Sequence, residues 1–296
     1  MQGNVSVDVL LATYNGSKFL GDQLDSLLSQ SFQDFCIYIH DDGSTDETRK
    51  VIESYESRHP RKIIHIDDGV TFGSAKLNFA HLMTFSTAPY VMFCDQDDVW
   101  ERNKISIMLE DIRKSEEKNP GLPILIHTDL EVVDCNLKTI APSMFEHQRL
   151  PRTLSLSFLI VQNNITGCSL MINRMALECS LPVASNAVMH DWWVGCRVLI
   201  HGGLVKHLPS ALVRYRQHGD NTLGAKKSNM AYFIKLAFLE SNRRIAAIIN
   251  QADSLGLNQS YCLVLIKKLL LIIVRLFPDL YSLLSLFTNF LGKQKI

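Results

Sequence analysis

Short apolar runs alternate with amphipathic segments through the first part of the chain, and this alternation admits few architectures. Val5–Ala12 (VSVDVLLA), Phe35–Ile39, Lys62–Ile66 and Tyr90–Cys94 read as strands. Between them Phe19, Leu20, Leu24, Leu27 and Leu28 recur at helical spacing, Leu77–Phe85 reads as a helix, and Ile105, Met108, Leu109 and Ile112 mark another. Ser44-Thr45-Asp46-Glu47 has capping-box spacing and predicts a helix that starts there and runs through Tyr55. Three β-α units in a row imply an α/β domain with a mostly parallel sheet and helices on both faces. Ligands of such sheets bind beyond the carboxyl ends of the strands. Those ends carry TYNG, HDDGS and CDQDD.

The strict alternation then stops. ILIHTDLEVV and ITGCSLMIN read as further strands, Asp191–Ile200 as a helix, and LVKHL and ALVRY as strand-like segments. From Met230 onward the chain is rich in Leu and Ile, with basic residues at Arg243, Arg244, Lys267, Lys268 and Arg275. This predicts helices lying on a membrane surface; the alternative is a helical subdomain packed on the core. The expected division is therefore a catalytic domain over 1–224 and a helical segment over 225–296.

Composition excludes several function classes. Thirty basic residues balance thirty acidic ones, so no global field favours nucleic acid, and none is expected as a partner. The seven cysteines are scattered without a CxxC pair, which fits a reducing cytoplasm better than a zinc or disulfide framework. MQGNVSVDVL lacks the regions of a signal peptide, and no uninterrupted apolar run is long enough to cross a bilayer. Neither GxGxxG nor GxxxxGK[ST] occurs, which argues against the dinucleotide fold and the P-loop.

Within YVMFCDQDDVW, three carboxylates (Asp95, Asp97 and Asp98) repel one another and call for a positive partner. A hard dication such as Mg²⁺ or Mn²⁺ takes carboxylate oxygens and leaves positions open for a diphosphate; a solvated acidic turn is the plain alternative. In HDDGSTD, a turn and helix cap explain Gly43, Ser44 and Glu47 but not the doubled Asp41-Asp42. HDWW pairs Asp191 with Trp192 and Trp193, as either a helix start in the core or a sugar-stacking platform beside a general base. YRQHGDN, Tyr215 to Asn221, follows a strand with His218 at its centre.

The order TYNG, DDGSTDET, DQDD, GCSLMIN, HDWW resembles family 2 of the inverting glycosyltransferases, which have the GT-A fold, over roughly Ser6 to Asn221. YVMFCDQDDVW and YRQHGDN look most like the bacterial rhamnosyltransferase-like branch that builds O-antigen and capsule repeats. The resemblance implies a Rossmann-like sheet flanked by helices and a nucleotide-sugar donor, first dTDP-rhamnose and next a UDP-hexose. It also implies a saccharide or lipid-linked saccharide acceptor, and a cytoplasmic location at the inner face of the membrane.

Carried over position by position, the resemblance puts Ala12, Thr13 and Tyr14 at the nucleotide base and Asp41 and Asp42 at its edge. Lys76 approaches the donor. Asp95, Gln96 and Asp97 form the DxD element, with Asp97, Asp95 and His218 toward the divalent cation. Asp191 is the catalytic base, ionised at neutral pH if it keeps an ordinary pKa of roughly 3.9. His190, where relatives often have Glu, and Trp192 face the acceptor. The QxxRW motif of processive synthases is absent, so a single sugar is expected to move.

Two other readings compete. Asp95-Gln96-Asp97-Asp98-Val99 mimics the nucleophile loop of haloacid-dehalogenase phosphatases, but that loop sits on a first strand and here follows three β-α units. A non-catalytic assembly partner with the same fold has no need of both Asp97 and Asp191.

Overall fold

In the computed structural model, which describes residues 5–153, 155–219 and 242–277, the first four strands form one parallel block. β1 (Val7–Thr13) lies between β2 (Phe35–Asp41) and β4 (Tyr90–Asp95), and β3 (Ile63–His65) pairs the outer side of β2. Their near-continuous apolar runs follow from burial on both faces. Asp8, fully buried within β1, is the exception: its Oδ2 accepts from the Ser86 hydroxyl and the Thr87 and Ala88 amides, and its Oδ1 from no donor among the described residues.

The sheet then becomes mixed. β8 (Leu170–Asn173) runs antiparallel to β4 and to β6 (Ile124–Val133), and β6 runs parallel to β9 (Leu204–Arg216). β5 (Val99–Trp100) pairs the far side of β9, and β7 (Thr139–Ala141) pairs β6. The order is β3-β2-β1-β4-β8-β6-β9-β5, so the expected mixed, mostly parallel sheet is present.

Two expected strands differ in detail. ITGCSLMIN yields strand only at Leu170–Asn173, because Gly167–Ser169 forms a 3-10 turn and the Gly167 amide is drawn off to Asp191. LVKHL and ALVRY form one continuous strand, with Pro209 absorbed where the β6–β9 register shifts between Leu208 and Ala211. A register shift is where a residue without an N–H is tolerated.

Helices cover both faces. On one side α1 (Ser17–Leu28), α2 (Thr48–Arg58) and α4 (Lys104–Lys118) bury Leu20, Leu24, Ile52, Met108 and Ile112 against Val7, Val9, Ile37 and Met92. On the other, α3 (Ala75–Met83), α7 (Arg174–Ser180) and α8 (His190–Ile200) pack Phe79, Leu82, Leu177, Trp192 and Trp193 against Leu10, Val91 and Phe93. Two short helices, α5 (Met144–Gln148) and α6 (Leu156–Leu159), fill the loop before β8.

The later helices α9 (Asn242–Ser254) and α10 (Tyr261–Leu276) join the second core through Ile245, Ile248, Ala252, Val264 and Leu271. This overturns part of the expected membrane-facing arrangement. Lys268 and Arg275 are buried, Arg275 donates to the Gln148 and Arg149 carbonyls, and Lys267 donates to Gln259. The outward face of α10 is instead apolar, with Tyr261, Leu265, Ile266 and Leu269 exposed. Among the described residues no helix is long and apolar enough to cross a membrane. Residues 230–241 and 278–296 of the expected helical segment, and the expected boundary at 224/225, lie outside the described residues.

Candidate active site

The carboxyl ends of β1, β2 and β4 meet, because Ala12 stands beside Asp95 and Thr13 beside Asp41 in the ladders. Here the chain reverses into α1 through Asn15, whose φ of 47° is the left-handed conformation that Asn tolerates better than most residues. The reversal is held from outside. Asn15 N–H donates to the Ser44 hydroxyl, Asn15 Oδ1 accepts from the Thr45 amide, and Gly16 N–H donates to the Thr48 hydroxyl, each at 2.8 Å. TYNG and DDGST are thus one interlocked surface.

The expected capping box at Ser44 does not form. α2 begins at Thr48, and Ser44 turns back to donate its hydroxyl and amide to Asp41, which also accepts from the Thr13 hydroxyl at 2.9 Å. Asp46 takes over the capping. Its carboxylate accepts the Thr48 amide at 3.0 Å and the Ser17 amide at 3.1 Å, joining the starts of α2 and α1. What burial it has pushes Asp46 upward, but hydrogen bonds from Thr48 and Ser17 outweigh that and hold it down at about 2.

Asp42 accepts the Phe72 and Ser74 amides, one on each oxygen, and so shapes the 72–74 loop. Tyr14 is exposed, with a relative accessibility of 56%. Gln96 binds the β1 turn reciprocally, accepting from Tyr14 N–H at 2.8 Å and donating to Tyr14 O at 2.9 Å. Lys76 donates to the Ser185 and Ala187 carbonyls at 2.6 and 2.7 Å, anchoring the loop before α8. Burial lowers its pKa.

The DQDD acids face different partners. Asp97 Oδ2 lies 2.7 Å from His218 Nε2. Asp98 is fully buried and accepts the Arg216 amide at 3.0 Å on one oxygen, while the other accepts no hydrogen bond among the described residues. Burial, then the nearby charges of Asp97 and Asp191, push Asp95 up to about 7.

The protein supplies cations of its own here, which the sequence reading did not find. Arg216, only 3% exposed, donates to the Asp97 and Cys135 carbonyls and to the Asp22 carboxylate. Lys104 is fully buried, donates to Cys168 O at 2.5 Å and lies 3.2 Å from the Trp100 ring centroid. Burial pulls Lys104 down to about 7, against the opposing pull of neighbours that include Asp98 and Asp95. A signal for Lys104 existed: residues 104, 108 and 112 share one helical stripe, so a lysine falls on the buried face of α4.

Asp191 opens α8 and is 7% exposed. It accepts Asn163 Nδ2 at 3.1 Å and the Trp192 amide on Oδ1, and the Gly167 amide at 2.9 Å on Oδ2. Burial raises it to about 7 despite those bonds, so the expected ordinary pKa is corrected upward. Gly167 is obligatory for space: a Cβ there would stand 2.7 Å from His190 Nε2 and 3.7 Å from Asp191 Oδ2.

The two residues expected at the acceptor are both inside. His190 is 2% exposed, stacked on Phe93 and tilted against Phe79, with neither ring nitrogen hydrogen-bonded among the described residues. Burial takes it down to about 3, so it stands neutral. Trp192 is 6% exposed and donates Nε1 to the Leu159 carbonyl. Both shape the site from behind, in place of offering a face to a sugar. Two further carboxylates of the region are structural: Asp98 holds β9, and Asp129 caps α5 by accepting the Met144 and Phe145 amides. Asp220 and Asn221 of YRQHGDN lie outside the described residues.

The chain is similar in sequence or in fold to several known proteins. A dTDP-rhamnosyl transferase, RfbG, of Shigella flexneri is 27% identical over 245 residues, spanning 78% of this chain and 79% of that protein. A glycosyltransferase of Nostoc is 29% identical over 224 residues, 73% of this chain and 66% of that protein, just under two thirds of its length. Among solved structures, Staphylococcus aureus TarS with UDP-GlcNAc superposes with a TM-score of 0.53 at 18% identity, covering 84% of this chain and 73% of that one. A mannosyltransferase of Pyrobaculum calidifontis with GDP-Man and Mn²⁺ gives 0.54 at 13% identity, covering 99% and 82%. The fold is therefore GT-A, as the motif order implied. The model of glycosyl transferase family 2 matches residues 8–179, from β1 through α7 and more than half of the chain, and the chain belongs to that family.

Proposed function

We propose that this glycosyltransferase moves one L-rhamnose from dTDP-rhamnose, with inversion, to a saccharide or lipid-linked saccharide acceptor in the assembly of a bacterial surface polysaccharide. The observation that carries the reading is that Asp95, closing β4 at the head of DQDD, lies near Asp191 at the start of α8, whose charge adds to burial and to Asp97 in raising it. The choice of rhamnose rests on the RfbG relative; a UDP-hexose donor is the second reading, favoured by the likeness to TarS with UDP-GlcNAc.

The DQDD residues fit a divalent cation. Two half-buried carboxylates present hard donors and an imidazole a borderline one, burial and then the charges of Asp97 and Asp191 raise Asp95, and Asp98 has an oxygen with no hydrogen bond among the described residues. Asp97, Asp95 and His218 would hold Mg²⁺ or Mn²⁺, which when bound neutralises charge on a departing nucleoside diphosphate. Thr13, Tyr14, Asp41, Asp42 and Gln96 shape the nucleotide side. Asp191 takes the proton from the acceptor hydroxyl as that oxygen bonds to the anomeric carbon and the carbon–phosphate oxygen bond breaks. Oδ2, which accepts one hydrogen bond, keeps a lone pair for that proton. A base near neutral pKa suits the task.

The catalytic unit is assigned to 1–224 and the helical segment to 225–296, with the protein peripheral at the cytoplasmic face of the membrane through the apolar face of α10. A panel of nucleotide sugars, assayed by release of nucleoside diphosphate with Mg²⁺ or Mn²⁺, tests the reading. The expected result is turnover of dTDP-rhamnose, abolished by chelator and restored by either ion. Turnover of UDP-hexoses alone moves the assignment to the second donor class, and full activity in excess chelator removes the cation from it.

A further inference from the structure

We infer a second metal site, separate from DQDD, in which His40, Asp68 and His81 bind a zinc-type dication behind the nucleotide pocket. The three come from different elements: His40 from β2, Asp68 from the loop after β3, and His81 from α3. Their donor atoms all lie within 4.8 Å of one another. His81 Nε2 stands 2.7 Å from one oxygen of Asp68, and His40 Nε2 stands 3.4 Å from the other.

The hydrogen bonds around His40 fix which nitrogen is available. Asn78 Nδ2 donates to the His40 carbonyl at 3.2 Å, so the atom of Asn78 that faces His40 Nδ1 at 2.8 Å is its oxygen. Nδ1 therefore carries a proton, and Nε2 is the nitrogen turned toward the Asp68 carboxylate. Ligand atoms from three separate elements thus face one another beside rings 4.9 Å apart, with His40 only 1% exposed.

The chemistry selects the ion class. Two imidazoles and one carboxylate form the donor set of a three-ligand zinc site with a fourth position left to water. Ligand atoms about 2.0–2.1 Å from a tetrahedral ion stand about 3.3 Å apart; the His40–Asp68 separation of 3.4 Å is close to that, and the His81–Asp68 hydrogen bond of 2.7 Å must open to admit the ion. An amide oxygen on the other ring nitrogen, as Asn78 supplies, orients a ligating histidine. Phe72 packs against both rings, at 5.8 and 5.1 Å, and its amide is one of the two gripped by Asp42. Filling the site would thus fasten the 67–74 loop and α3 to β2 and fix the wall carrying Asp42.

The test uses the full chain carrying Asp95→Ala with Asp97→Ala, which removes both DxD carboxylates and breaks the neighbouring Asp95–Asp98–Cys168 cluster, stripped with chelator and dialysed against Zn²⁺. One equivalent of zinc is expected by elemental analysis, with a rise in Tm. His81→Gln in that background should abolish retention, and Asp68→Asn should weaken it about tenfold or more. In the wild-type chain, long-range ¹H–¹⁵N spectra should show the His40 and His81 ring nitrogens moving together on addition of Zn²⁺, which covers the case in which a variant misfolds. No retained zinc in that double-variant background, zinc indifferent to His81→Gln and Asp68→Asn, or unmoved histidine resonances would overturn the inference. None of these readouts depends on transferase activity, so failure here leaves the donor assignment standing.

Discussion

The proposed mechanism puts the proton transfer on one side chain, Asp191, whose surroundings set its titration. Burial holds it at about 7, so it loses its proton in the range where the protein would operate. The base must be deprotonated, so kcat is expected to rise with pH through about 7 and level off above it. Asp191→Asn keeps the size, cannot take a proton, and should lower kcat by about a hundred- to ten-thousand-fold while flattening that limb. Donor affinity measured by calorimetry should stay near wild type; its loss together with turnover would mean that Asp191 supports the fold instead. Sequence alone identified Asp191 but assigned it an ordinary carboxyl, because nothing in HDWW reveals that Asn163 and Gly167 close over it. Asp98 and Asp129, comparable on paper, accept backbone amides from Arg216 and from Leu130, Met144 and Phe145 respectively.

At the level of elements, the turn after β1 is fitted to its neighbours by space and by caps. Gly16 has φ −105° and ψ 7°, which alanine could adopt, yet a Cβ there would land 2.1 Å from Gln96 Oε1. Gly16→Ala should therefore expel the Gln96 amide from its paired bonds to Tyr14, costing about 1–3 kcal/mol in urea unfolding. Adding Gln96→Ala should recover part of that loss, since the two changes share one contact. Full additivity would show that the contact is not the cause. Asp46→Ala removes the acceptor shared by α1 and α2, at an expected cost of about 1 kcal/mol. Because Asp46 is depressed to about 2, its contribution is present above the unfolded value of roughly 3.9 and disappears as pH falls toward 2. The gap between wild type and variant should close over that interval; a constant gap would refute the capping role.

The same elements show what sequence can reveal. Strands β1 to β4 and their polar ends were legible because apolar period and turn chemistry are local. The capping box was misread because Ser44 found better partners across the turn in Asn15 and Asp41. Arg216 was invisible because its partners, Asp22, Asp97 and Cys135, lie 194, 119 and 81 residues away.

Taken as a whole, the molecule carries an apolar strip on α10 that its own core leaves uncovered. Full-length protein is expected to sediment with vesicles of anionic lipid, and Ile266→Asp with Leu269→Asp should return it to the supernatant. High salt alone should release only part of it, since Lys268 and Arg275 are turned inward. Protein that ignores vesicles would make the strip a contact for another polypeptide. The buried Arg216 has a different consequence, in time instead of space. Every residue matched by the family model lies within 8–179, yet the backbone of Asp97 and the carboxylate of Asp98 are gripped by the last residue of β9. A ribosome that has threaded out β8 has already delivered the DQDD loop, but not the strand that sets it. The DQDD loop of a nascent polypeptide is thus expected to take its final setting only once β9 emerges and docks.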